Sequence, residues 1–185
     1  MYFIPCRLIS IEVLFQNKKV MKEVIESPFC DGTAHLKSEL STVEYRKEQY
    51  SYTRYYYVCD GTGIEFTDND ADRASIEQVY SQYREKYGIP APERLMDWRK
   101  SYGLSAVMMS RLLGLGENQY GLYEKGEMPA LSIGRLLSIV GNMSFIIYCV
   151  NNSPLTEKEK SKALKSIRCF SGRKEAESSS LAFVV

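Results

Sequence analysis

The stretch that most limits what this chain can become is LSAVMMSRLLGLGENQYGLYEKGEMP, residues 104–129. Its spacing predicts two short helices joined at a sharp corner. Ser105 stands where a side-chain oxygen caps the free N–H groups of a first turn. Met109, Leu112 and Leu113 follow at helical spacing. Gly114-Leu115-Gly116 supplies the corner, because glycine takes the positive φ that a tight helix–helix turn needs. A second helix is expected over 117–125, stopped by Gly126. Ser110 is small where two crossing helices must approach.

On a helical wheel Leu115, Tyr120 and Tyr123 fall toward the core. Glu117, Asn118, Gly121, Leu122 and Lys125 fall on the open face. This is the arrangement of a helix-turn-helix whose second helix enters a DNA major groove. The competing reading is a plain helical hairpin that serves as core.

A chain of 185 residues fits one domain or two small ones. No run of about 18 apolar residues occurs, so no membrane span is expected. The formal net charge is +1, unevenly spread: −3 over residues 1–88, +1 over 89–150 and +3 over 151–185. An acidic front suits a protein-binding half and a basic back a DNA-binding half, although imbalances this small decide little. The five cysteines, Cys6, Cys30, Cys59, Cys149 and Cys169, have no regular spacing and include no intact C-x-x-C. A secreted disulfide scaffold is not indicated, and a reducing cytoplasm is the expected compartment.

Taken in order, residues 1–20 are an apolar opening interrupted by Arg7 and Glu12. It reads as an extra strand or as a dispensable extension, because Met21 begins a segment that looks more like a natural start. From Thr33 to Phe66 the chain turns rich in Thr, Val and Tyr, the residues strands prefer. A hairpin or three-stranded meander is expected, with Gly61-Thr62-Gly63 as its next turn and residues 64–66 as a last strand. Tyr45, Tyr50, Tyr52, Tyr55, Tyr56 and Tyr57 form either a small aromatic core, which is favoured, or a sticky face for a partner. Asp68, Asp70 and Asp72 open a helix that runs to Tyr87, with Ile76, Val79, Tyr80, Tyr83 and Tyr87 as its stripe. Pro90 and Pro92 mark a boundary. A helix over 93–102 follows, packing Leu95 and Trp98 inward with Arg94, Arg99 and Lys100 outward. A closing helix is expected over 131–140. Residues 145–150 read as a strand or a last helical turn, serving as core or as a dimer contact. Residues 157–167 read as a charged helix, and the Ser-rich end as disordered.

Nothing points to catalysis. The single histidine, His35, sits at a strand end, and neither a Gly-rich phosphate loop nor a nucleophile elbow occurs. The Asp68, Asp70 and Asp72 cluster lacks the glycine and terminal glutamate spacing of a Ca²⁺ loop.

Two half-lost knuckles remain. Ser27-Pro28-Phe29-Cys30 and Cys59-Asp60-Gly61-Thr62 each look like C-x-x-C with one cysteine replaced. With YYYVCDGTG, VYSQYREKYGIPAPE and the stretch LS…LLGLGENQY…YEKGEMP, they resemble the MqsA/YgiT family of antitoxins over residues 21–150. That resemblance implies an N-terminal zinc-knuckle domain that holds a toxin. It also implies a C-terminal Cro/C1-type helix-turn-helix that dimerises and represses the operon. The implied architecture is α+β: a small β-meander with a following helix, then an all-α five-helix, lambda repressor-like domain. The expected domains are a poorly defined extension at 1–20, a degenerate knuckle-like domain with its linking helix at 21–88, the helix-turn-helix domain at 89–150, and a charged helix and tail at 151–185.

The sequence departs from the family at the metal. Ser27, Cys30, Cys59 and Thr62 are vestigial ligand positions, and neutral hydroxyls are poor zinc ligands. Adding His35 makes only a weak three-ligand set, so no cofactor is expected. The DNA-facing set is Ser105, Arg111, Glu117, Asn118, Gln119, Leu122 and Lys125. The family commonly starts its recognition helix with Asn, which Asn118 keeps. Gly121 and Leu122 occupy the turn where the family often carries an arginine. Asn118 suits an adenine edge, Leu122 a thymine methyl, and Glu117 a cytosine amino group. Ser105, Arg111 and Lys125 suit phosphates. The expected partners are an operator duplex, a second copy of the chain and a toxin protein, with no membrane.

Overall fold

The computed structural model describes residues 21–167. Expectations for 1–20 and 168–185 lie outside the described residues. The fold is α+β, and it divides between Gln82 and Tyr83 into two compact units.

The first unit is a four-stranded antiparallel sheet in the order β1-β2-β3-β4. The strands are β1 (Val24–Glu26), β2 (Thr33–Tyr45), β3 (Glu48–Cys59) and β4 (Glu65–Phe66). The long β2–β3 hairpin pairs continuously from Ala34↔Cys59 to Tyr45↔Glu48. Only Arg46 and Lys47 are left for the turn, with φ of 51° and 67°. Two positive φ values in a two-residue loop match the right-handed twist of the flanking strands. Tyr55, Tyr57 and Cys59 point inward at every second position, and Tyr50 is also buried. Tyr45, Tyr52 and Tyr56 are half-buried. The aromatic mass therefore works mainly as core. β1 adds a strand to the expected meander, and its three residues are too short to show a period.

Helix α1 (Asn69–Tyr87) is the third feature of this part of the chain. Asp68 accepts the Ala71 N–H at 2.7 Å, so the acidic start acts as a cap. Within the first unit α1 buries Ala71, Ala74, Ser75 and Val79. Ile76, expected on the inner stripe, is 38% exposed. The small alanines let the helix lie close to Tyr55 and Tyr57, with which they share one cluster. Side chains of α1 also bond the free edge of β3. Ser75 Oγ accepts the Tyr55 N–H at 3.0 Å. Gln78 accepts the Thr53 N–H at 3.0 Å and donates to the Thr53 carbonyl at 2.9 Å. Gln82 donates to the Ser51 carbonyl at 2.8 Å.

The second unit contains α2 (Pro92–Ser101), α3 (Ala106–Leu112), α4 (Gln119–Glu124), α5 (Leu131–Ser138) and α6 (Met143–Asn151). Residues 157–167 form a further helix, α7. Pro92 sits in the first turn of α2, where its missing N–H costs nothing. Residues 145–150 belong to a helix rather than a strand, and Asn142 caps it through the Ser144 and Phe145 N–H groups. Leu95, Met109, Tyr120, Leu137, Ile146 and Ile167 are fully buried in one core. Burial of each Leu, Ile and Met among them contributes about 1.5–3 kcal/mol. α7 joins this core through Ala163 and Ile167, so it packs with the helices before it. Among the described residues no single helix is long and apolar enough to cross a membrane.

Candidate nucleic-acid interface

The corner forms as its residues dictate. Ser105 caps α3 by accepting the Met108 N–H at 3.1 Å. Gly114 takes φ 67° at the corner and Gly126 takes φ 104° after α4. Helix α4 is shorter than the expected 117–125, beginning at Gln119, with Asn118 as a cap residue whose side chain makes no capping bond.

The inner side of α4 is anchored along its whole length. Buried Ser110 accepts the Tyr120 N–H at 3.0 Å. The Tyr120 hydroxyl donates to the Leu95 carbonyl at 3.0 Å, and burial pushes that phenol far above its usual pKa. Glu124 receives Arg99 through two bonds of 2.6 and 3.1 Å. Arg99 also donates to the Leu104 carbonyl at 3.1 Å. Arg99 was expected to face out. Instead its side chain is 19% exposed and Glu124's is 8%. The ion pair holds the guanidinium charged, shifting its pKa upward. Just past α4, Arg84 donates to the Gly126 carbonyl at 2.9 Å.

The opposite edge is open. Glu117, Asn118, Leu122 and Lys125 are exposed, Leu122 to 39%. Gly121 lies beside Ala106, where an added Cβ would meet the Ala106 Cβ at 3.5 Å. Gly121 is therefore turned toward α3 rather than onto the open face where it was expected, and a methyl there would make only ordinary contact.

The knuckle positions also converge. Cys30 Sγ lies 3.2 Å from Cys59 Sγ, and Ser27 Oγ donates to Cys59 Sγ at 3.0 Å. The Thr62 hydroxyl and backbone N–H also favour the charged form of the same sulfur. The Cys59 side chain is buried, yet donors rather than dry apolar atoms ring its sulfur. Donation from Ser27, then Thr62, outweighs desolvation and lowers the thiol to about 6. His35 Nε2 sits 3.1 Å from Asp60 Oδ2, away from this sulfur pair's bonding. Two thiols and two hydroxyls that donate hydrogen bonds do not fit the four-ligand nitrogen–sulfur set of a structural zinc. Among the described residues no group of three or more His, Cys, Asp or Glu side chains is arranged to hold a metal.

No protein-family model matches the chain, and no curated protein or solved structure matches it. The site therefore rests on its own geometry.

Within that geometry the seven residues expected to face DNA divide. Asn118, Leu122, Lys125 and Glu117 share the open edge of α4 and its approach. Ser105 is exposed at the start of α3. Gln119 is half-buried and donates to Glu127 at 2.9 Å. Arg111, expected as a phosphate contact, is paired with Glu159 on α7 at 3.0 Å. Thr156 bonds Glu159 through its backbone N–H and its hydroxyl, and with Arg111 this holds the carboxyl down at about 2. The Arg99–Glu124 pair and Glu159 were not singled out in the sequence. The first joins residues 25 apart with no periodic signal. The second is legible as the Thr156–Glu159 capping box.

Proposed function

We propose that this chain is a sequence-specific DNA-binding regulator of transcription, acting as an antitoxin-like repressor without catalysis or a resident metal. The finer fold reading is a Cro/C1-type helix-turn-helix, α3 to α4, set in the five-helix bundle α2 to α6. The sheet unit is the proposed holder of a toxin protein. The observation that carries the reading is the asymmetry of α4. One side is fixed by Ser110, Leu95 and Arg99, while Asn118, Leu122 and Lys125 stay exposed on the other. A helix fixed on one side and polar at its opposite edge is what groove readout requires.

In this reading Asn118 pairs an adenine edge and Leu122 touches a thymine methyl. Ser105 and Lys125 bind phosphates and set the register. A dimer on half-sites about 34 Å apart supplies the affinity that one weakly basic module lacks.

The test is fluorescence anisotropy with a duplex from upstream of the chain's own gene, titrated in salt. Affinity is expected to fall steeply and linearly on a log–log plot. Asn118→Ala is expected to weaken binding roughly 5- to 150-fold and relax preference at one base pair. Absence of binding at low salt overturns the reading.

A second reading is favoured by one observation. Arg111 is already neutralised by Glu159, and Glu117 places a carboxylate beside Asn118. An α3–α4 corner in this state is a protein-interaction module with decayed DNA binding. A salt-insensitive complex with a protein partner and no DNA shift distinguishes it.

A further inference from the structure

We propose that Cys30 and Cys59 form a reversible disulfide, making the sheet unit a thiol-modification site for low-molecular-weight disulfides. The proposal stands apart from the DNA reading. The two sulfurs lie 3.2 Å apart, between the exposed loop that carries Cys30 and the buried end of β3. Cys59 is pinned by the sheet, opposite Ala34 in the β2–β3 register. Its N–H donates to the Ile64 carbonyl at 3.0 Å, which fixes the start of the β3–β4 turn.

Cys30 is the reachable partner. It is half-buried, between exposed Phe29 and Asp31. Glycines wall its sulfur: a Cβ added at Gly61 would lie 3.0 Å from it and one at Gly32 3.2 Å. With no side chains at those positions, nothing crowds the sulfur where it faces Cys59. Ser27 donates to Cys59 Sγ at 3.0 Å and supports the electron-rich form that attacks a disulfide. Cys149 supplies an internal comparison: it is half-buried on α6, and burial raises its thiol.

The chemistry balances. The Cys30 thiolate attacks one sulfur of a small disulfide RSSR. A Cys30–SR bond forms, the S–S bond breaks and RS⁻ leaves, taking up the proton Cys30 gave up. The Cys59 thiolate then attacks Cys30 Sγ, forming Cys30–Cys59 and expelling the second RS⁻, which leaves as thiol. Two protein thiols are oxidised and one RSSR is reduced to two RSH. The product ties the β1–β2 turn to the end of β3.

The test equilibrates the full-length protein in buffers of graded reduced-to-oxidised glutathione. Exchange is quenched in acid, the protein is unfolded, free thiols are alkylated and peptides are mapped by mass spectrometry. A linked Cys30–Cys59 peptide is expected to rise with oxidised glutathione while Cys149 stays alkylated in the same sample. The linked form is expected to melt higher, by about 10 °C, since it closes a loop of some thirty residues. In Cys59→Ala, Cys30 is expected to accumulate as the glutathione adduct, because the second step has lost its nucleophile. Two results overturn the proposal: Cys30 and Cys59 alkylated at every ratio, or one equivalent of zinc holding both thiols in the protein as purified. The wild-type linkage is read without any variant, so a variant that misfolds does not decide the outcome.

Discussion

Ser110 has two roles in one small side chain. It lets α3 and α4 approach, and its hydroxyl satisfies the Tyr120 N–H at the start of α4. Its size was readable in the sequence; its hydrogen bond was not, because that partner is set by the crossing of two helices. Gly134 shows the same limit. A Cβ there would sit 2.7 Å from Ile89 Cγ1. Isoleucine is stiff at χ1 and cannot swing clear. Gly134→Ala is expected to destabilise the second unit by about 1–3 kcal/mol, seen as a lower urea midpoint. Cys59 gives a prediction in pH. Its thiol is lowered to about 6 from 9.0, chiefly by the Ser27 hydroxyl. The unfolded chain binds a proton that the fold releases, so stability from this group rises with pH between about 6 and 9 and is lost as pH falls through about 6. Thiolate absorbance under reducing conditions is expected to titrate near 6, and Ser27→Ala is expected to move that midpoint upward. An unchanged midpoint would mean that Ser27 does not tune the sulfur.

Among the elements, the clearest sequence signals became the most regular structure. Richness in Thr, Val and Tyr over residues 33–59 marked the β2–β3 hairpin, which has only two turn residues. The glycines and Ser105 gave the α3–α4 corner. Ile76 misled because hydrophobicity and helical position pull apart in α1, whose inner face needs small alanines against tyrosine rings. Charge pairing between elements was the least legible. Glu159 is bound by Thr156 and Arg111, so the carboxylate's contribution is full above its unfolded pKa of about 4.5 and is lost as pH falls toward about 2. Glu159→Gln releases Arg111 for phosphate. If the DNA reading holds, the variant is expected to bind duplex more tightly at low salt and to steepen the salt slope by about 1. An unchanged slope would mean Arg111 lies off the DNA path.

For the molecule as a whole, two units each carry their own buried cluster, one of alanines against tyrosines and one largely aliphatic. The proposed dimer needs an exposed apolar contact, and Tyr148 on α6 is 63% exposed within the segment read as a dimer contact. Tyr148→Glu is expected to sediment as a monomer where the wild type sediments as a dimer, and to weaken DNA binding at least tenfold. A variant that remains dimeric would move the contact elsewhere. The sequence carried enough to expect an α+β chain with a strand-rich front and a helical back. It carried less about the bonds from α1 to β3, because glutamine and serine on a helix look like ordinary solvated residues until a strand lies beneath them. Those bonds have a practical consequence. Ser75, Gln78 and Gln82 occupy donors and acceptors that a neighbouring polypeptide would otherwise seek. A fragment cut before Asn69 would bare that rim, and such a rim recruits further copies of itself. Whoever isolates the front half should keep its helix, or expect fibres in place of a domain.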